Sequence, residues 1–204
     1  MNNASLRQMQ NKNILIMIAA VESVTKEIIW QSTKQIKTPI NVNQIAMFYN
    51  MNIIYDDNLG KYCSGKILIE SGNIATAYIN AHDTPSRQRF TIAHELGHFY
   101  SYKKQGKTGE IIEYRNKIVV DNAKDTLSSQ TDQLEEAYAN IFAANLLVPR
   151  FLLEEILKLN RSLSNIANMF EVSQEMLKYR IDNLFPDKFT IIKTDKDSII
   201  KEVI

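Results

Sequence analysis

The chain has 204 residues, 45% of them hydrophobic and 23% charged, with a formal net charge of +1. That composition suits a folded domain with one good core and excludes wholesale disorder. Near-neutral charge exerts no global pull on nucleic acid or an anionic membrane, and the single cysteine, Cys63, excludes a disulfide within the chain and fits a reducing cytoplasm.

Residues 1–12 are polar and are expected to fray. The longest apolar run, residues 14–21, is too short to span a bilayer. Met17, Val21, Val24 and Ile28 carry an apolar stripe at helical spacing past any signal-peptide cleavage point, so residues 13–35 read as an amphipathic helix that packs, with Trp30 near its end. Partner binding or dimerisation is the sharper reading of this arm. Lys37-Thr38-Pro39 makes a break, and Asn41 caps a second helix through Phe48 that runs into a short strand at 52–55. After a turn at 56–61, residues 63–70 and 74–79 read as two strands joined by Ser71-Gly72-Asn73, a hairpin signal. Gly65 marks either a close backbone approach or a bulge.

The next stretch opens a helix. Thr84-Pro85 has the order of an N-cap and a first helical residue, Ile92, Leu96 and Phe99 repeat at helical spacing, and Gly106 after Lys103-Lys104 is a stop signal. His94 and His98 stand four apart on that helix, so both imidazoles leave one face, as two legs of a tetrahedral zinc site require. Glu95 projects beside them, where it can reach water at the metal without ligating the metal. A His-Glu-x-x-His pattern in a chain with only three histidines is specific; the bland alternative is a surface helix that happens to carry two of them. His82 falls in the loop before the helix, where it reads as a surface histidine or, more sharply, as a donor to a transition-state oxyanion.

Residues 105–130 are polar and irregular except for Ile111-Ile112 and Ile118-Val119-Val120, which predict one short strand or hairpin, a plausible rim or lid for a cleft. A catalytic zinc needs a third protein ligand. A helix predicted from about 132 to 147, stopping before Pro149, puts Glu136 and Asn140 on one face, with Ala139 and Ala143 small enough to let it approach the metal helix closely. Glu136 is the better-placed third ligand and Glu135 the alternative; Asn140 then orients a ligand imidazole through its other ring nitrogen. Tyr138 is a further candidate oxyanion donor, in competition with Tyr100, Tyr102 and Tyr114, and packing is the default role of each.

Arg-Gln-Arg-Phe-Thr-Ile-Ala-His-Glu-Leu-Gly-His (87–98), followed by Glu-x-x-Ala-Asn-x-Phe-Ala-x-x-Leu-Leu-x-Pro (136–149), resembles the ImmA/IrrE family of zinc metallopeptidases. With Thr38-Pro39 and the strand end Ile79-Asn80, the resemblance covers residues 38–160. It implies a small intracellular protease, often from mobile elements or stress circuits, that cleaves a helix-turn-helix repressor. It carries the zinc ligands onto His94, His98 and Glu136 and the base onto Glu95, and it implies that the sheet edge beside the metal aligns substrate as an added strand. The chain departs from the family pattern at Val148, where methionine is usual, and at Tyr138, where an acidic residue commonly precedes the Ala-Asn pair.

Another helix follows to about residue 159. Leu163, Ile166, Ala167 and Phe170 mark a short helix, Val172 turns the chain, Ser173 caps, and Leu177, Ile181 and Leu184 mark a further helix: a helix-turn-helix silhouette. Its second helix carries only Lys178 and Arg180 beside Glu175 and Asp182, poor material for phosphate contacts, so packing or protein docking is favoured over DNA reading. The tail adds a strand at 189–193 before fraying. The expected fold is therefore α+β: a small, mostly antiparallel sheet packed on the His-Glu-x-x-His helix and a ligand helix, with a C-terminal helix-turn-helix-like subdomain. The expected divisions are an N-terminal helical arm (1–36), a zinc metallopeptidase domain (37–160) and a helical subdomain with tail (161–204).

The leading functional expectation is a cytoplasmic, zinc-dependent endopeptidase acting on a protein substrate, a helix-turn-helix repressor encoded nearby, with no direct nucleic-acid or membrane binding. The alternative is a regulatory or toxin-type binding module of a paired system that sequesters its partner with little proteolysis. A DNA-binding regulator acting through residues 163–184 is the weakest of the three, given the near-neutral charge.

Overall fold

Period-two and helical patterning alternate along the chain, and the tertiary structure follows them into an α+β arrangement. The computed structural model describes residues 19–106, 108–114, 130–159, 161–194 and 197–203. Helix α1 covers 19–33 of these. There follow α2 (Val42–Phe48), β1 (Met51–Asp56), β2 (Cys63–Glu70), β3 (Ile74–Asn80), α3 (Pro85–Gln105) and β4 (Gly109–Tyr114). The second half holds α4 (Gln130–Leu147), α5 (Arg150–Leu159), α6 (Leu163–Phe170), α7 (Gln174–Leu184), β5 (Phe189–Lys193) and β6 (Ser198–Glu202).

Side-chain caps set the helix starts. Asn41 accepts from the Gln44 amide, Thr84 from Arg87 with Pro85 inside the first turn, Ser162 from Asn165 and Ser173 from Met176. Gly106, at φ 64°, closes α3 in the left-handed conformation after its basic last turn.

The main sheet has the order β1-β3-β2-β4. The β2–β3 hairpin and the β2–β4 pair are antiparallel and β1 runs parallel to β3, so the sheet is mixed but mostly antiparallel. The isoleucine pair at 111–112 lies in β4; residues 118–120 fall outside the described residues, as does Met17 of the α1 stripe. Val21 and Ile28 of that stripe are buried, while Trp30 is exposed. The expected fraying of the tail is corrected: β6 pairs with β5, and Ile200, only 1% exposed, donates its amide to the Arg161 carbonyl at 2.8 Å. With Ile200 as its one fully buried side chain, β6 carries too weak a periodic signal to announce a strand.

The core runs continuously from α1 to β6. At its centre α3 packs against β2, β3 and α4. The α3–α4 crossing is close because Gly97 faces Ala139: a Cβ at Gly97 would lie 3.0 Å from Ala139 Cα, 3.1 Å from Phe142 Cβ and 3.3 Å from the Ala139 carbonyl oxygen. Ala139 and Ala143 are themselves fully buried. Arg89 ties α3 to its surroundings, donating to the Ile40 and Phe170 carbonyls at 3.0 and 3.5 Å and pairing with Glu171 at 3.2 Å. Among the described residues no helix is long and apolar enough to cross a membrane.

Replacing Gly97 by valine forces the two helices apart. Gly97→Val is expected to cost about 3 kcal/mol of stability, read as a lower urea midpoint at an unchanged slope.

Candidate metal centre

The middle of α3 is the most deeply buried part of that helix: His94, Glu95 and His98 are all no more than 2% exposed. Charged and imidazole side chains are rarely buried in this way unless something pairs with them. From α4, Glu136 reaches across the Gly97–Ala139 contact to meet both histidines. Its Oε2 lies 3.6 Å from His94 Nε2, its Oε1 3.3 Å from His98 Nε2, and the two Nε2 atoms are 2.9 Å apart. Zinc ligands at about 2.0–2.1 Å in a tetrahedral arrangement stand about 3.3 Å from one another. The observed spacings bracket that value, so the donor set fits zinc without rearrangement of the helices.

Asn140, one turn beyond Glu136, faces the far side of the same imidazole: its Oδ1 is 3.1 Å from His94 Nδ1. Accepting the Nδ1 proton leaves the Nε2 lone pair directed at His98 and Glu136, which is the tautomer a metal ligand needs. Burial, followed by the neighbouring His98, pushes the His94 imidazole down to about 3, against the raising influence of Glu136 and Asn140. At neutral pH this nitrogen carries no proton to compete with a cation. Among the described residues, His94, His98 and Glu136 are the one group of three able to hold a metal ion.

Glu95 turns toward the sheet. A Cβ at Gly65 of β2 would lie 3.3 Å from Glu95 Oε1 and 2.5 Å from Thr91 Cγ2. The missing side chain is what lets the strand pass this close, and the irregular register between Cys63 and Gly65 opposite β4 marks a bulge at the same place. Both readings of Gly65 thus describe one feature. Glu135 is the neighbour of Glu136 but does not join the group of convergent donors.

The two candidate oxyanion donors have partners outside the donor set. His82 is exposed in the loop before α3, its Nε2 3.3 Å from the Asp57 carbonyl. The Tyr138 ring packs 6.1 Å from Phe142, which also meets Tyr100, and burial raises its hydroxyl to about 12 with help from Tyr100. Sequence reading did not single out Arg87, whose guanidinium donates to the buried Ser64 hydroxyl at 2.9 and 3.1 Å and lies over Phe90, the ring next to His94. Its place seven residues before His94, on the same helix face, was the available signal.

Two consequences are measurable. Asn140→Ala should weaken zinc binding about ten- to hundredfold in a chelator competition. For the metal-free protein, a histidine held below its unfolded value contributes stability that is present above about pH 6.5 and lost as the pH falls toward about 3. Urea midpoints stepped through that window should fall steadily, and His94→Gln should flatten the slope.

Comparisons with known proteins bear on the fold and the family of the chain. The solved structure of a Mycobacterium tuberculosis transcriptional regulator is similar to the chain with a TM-score of 0.60 at 14% identity, over 90% of this chain and 54% of the other, a likeness of fold alone. The chain thus spans about half the length of that protein. No curated protein matches the sequence. The family model of the IrrE N-terminal-like domain, Peptidase_M78, matches residues 73–182, from the hairpin through the metal group to α7. Covering more than half of the sequence and both helices that carry the convergent donors, this match places the chain in the IrrE N-terminal-like family of metallopeptidase-type domains.

Proposed function

We propose that the protein is a zinc-dependent endopeptidase, with His94, His98 and Glu136 as metal ligands and Glu95 as the proton-transfer group. The observation that carries this reading is the convergence of two buried imidazoles and the partly buried Glu136 at zinc-ligand spacings, with a second carboxylate, the buried Glu95, beside them and outside the set. Zinc held there supplies Lewis acidity, which polarises a peptide carbonyl and makes water nucleophilic near neutral pH.

The remaining work falls to side chains of this chain. Glu95 takes the proton from the attacking water and passes it to the leaving amine, a transfer its place next to His94 permits. Asn140 keeps His94 in the tautomer that presents Nε2. Burial between α3 and β2 holds bulk water away from Glu95, which is 1% exposed, and so strengthens each electrostatic contact inside. A substrate segment entering in extended form can add to the outer edge of the sheet, where β4 is the terminal strand on the β2 side.

The proposed substrate is a protein, and the resemblance of both motifs to the ImmA/IrrE family nominates a helix-turn-helix repressor in the cytoplasm. Nucleic acid is not part of the proposal: Arg180 is buried, so Lys178 is the basic side chain that α7 exposes. The sequestering alternative gives no role to Glu95, a buried carboxylate beside the ligands.

The test is cleavage of a candidate repressor by the purified protein, with and without zinc. A discrete cut is expected, abolished by a chelator and restored by zinc. Glu95→Gln should retain zinc and lose about 10²–10⁴-fold in rate, whereas His94→Ala and Glu136→Ala should lose the metal as well. Full cleavage by Glu95→Gln would falsify the assignment of the base.

A further inference from the structure

The helical pair α6–α7 is fastened to both helices that carry the metal group. From α3, Arg89 reaches the C-terminal end of α6 at the Phe170 carbonyl and Glu171. From α7, Arg180 reaches the C-terminal end of α4: Nε donates to the Val148 carbonyl at 3.0 Å and Nη2 to Asn145 Oδ1 at 2.7 Å. Asn145 is 1% exposed, and its own amide donates to the Ile141 carbonyl one turn back.

Arg180 is 4% exposed, yet no carboxylate among the described residues lies within ion-pair distance of it. Burial lowers its guanidinium to about 10, opposed at longer range by Glu22, so it remains a cation at neutral pH. A buried cation without a counter-ion is costly unless dipoles compensate it. Here the compensation comes from the carbonyl end of α4, the negative pole of that helix. The fork geometry of arginine lets one side chain hold two acceptors at that end.

We propose that Arg180 is a positioning residue for the metal group: by gripping the end of α4 from α7, it sets the axial register of Glu136 and Asn140 against His94 and His98. The proposal rests on the metal reading given above. The closest α3–α4 approach is that of Gly97 to Ala139, where small residues offer little relief; Phe142 packs against Gly97 and Tyr100 beside it, and Arg180 adds a polar anchor at the end of α4. An α-helix is stiff along its axis, so a shift at Asn145 is passed undiminished to Glu136, and ligand distances tolerate only about 0.2 Å. On this account the helix-turn-helix silhouette serves as a strut between the metal helices.

The experiment compares the full-length protein with R180Q, R180K and N145A. Zinc affinity is measured by competition with a chromophoric chelator, at a temperature where circular dichroism shows every chain folded. R180Q should bind zinc about tenfold more weakly, R180K should recover part of the loss, and N145A should also weaken binding. A merely structural role destabilises the metal-free and zinc-loaded forms alike and leaves the affinity of the folded chain unmoved. Wild-type zinc affinity in R180Q with only a lowered melting temperature therefore overturns the proposal and leaves the peptidase reading intact. If R180Q does not fold, N145A decides by the same criterion. If the wild-type chain binds no zinc, the metal reading falls first and this inference falls with it.

Discussion

The site depends on how closely two helices can cross. Glu136 has a short side chain, and it meets imidazoles from another helix only because Gly97 and Ala139 bring the backbones of α3 and α4 together. The contact residues and the donors are interleaved along both helices: His98 follows Gly97, and Ala139 sits between Glu136 and Asn140. A larger side chain at the crossing would separate the donors before it disturbed either helix. Local helix formation and the donor geometry are thus distinct requirements, met by different residues of the same motif.

Burial gives the donor set its chemical character. Two imidazoles and a carboxylate converge where water is largely excluded, an arrangement that is unfavourable for like lone pairs and favourable for a cation among them. The same burial keeps His94 unprotonated, and Asn140 decides which nitrogen faces inward. Gly65 contributes by absence, leaving room for the Glu95 carboxylate against the strand. The sheet therefore shapes the site as much as the helices do, although the donor set found among the described residues comes from the helices alone.

A helix-turn-helix outline is a statement about helix packing, and its use depends on which side chains remain outside. In α7 the arginine that a DNA-reading helix would present is turned inward and held by the end of α4. The likeness to a transcriptional regulator is likewise one of fold, and folds host unrelated functions.

Much of this molecule was legible along the chain because it is written in contacts between near neighbours. Thr84-Pro85 and Gly106 bound α3, Ser173 starts α7, Gly72 and Asn73 turn the hairpin, and the four-residue spacings pair His94 with His98 and Glu136 with Asn140. Periodicity and capping act within a turn or two, so the sequence alone determines them. The parallel pairing of β1 with β3, the pairing of β6, the pressing of Gly65 on Glu95 and the inward turn of Arg180 join residues far apart in the chain. Only the tertiary structure decides those, because which distant groups meet depends on where whole elements cross, and no local spacing encodes that.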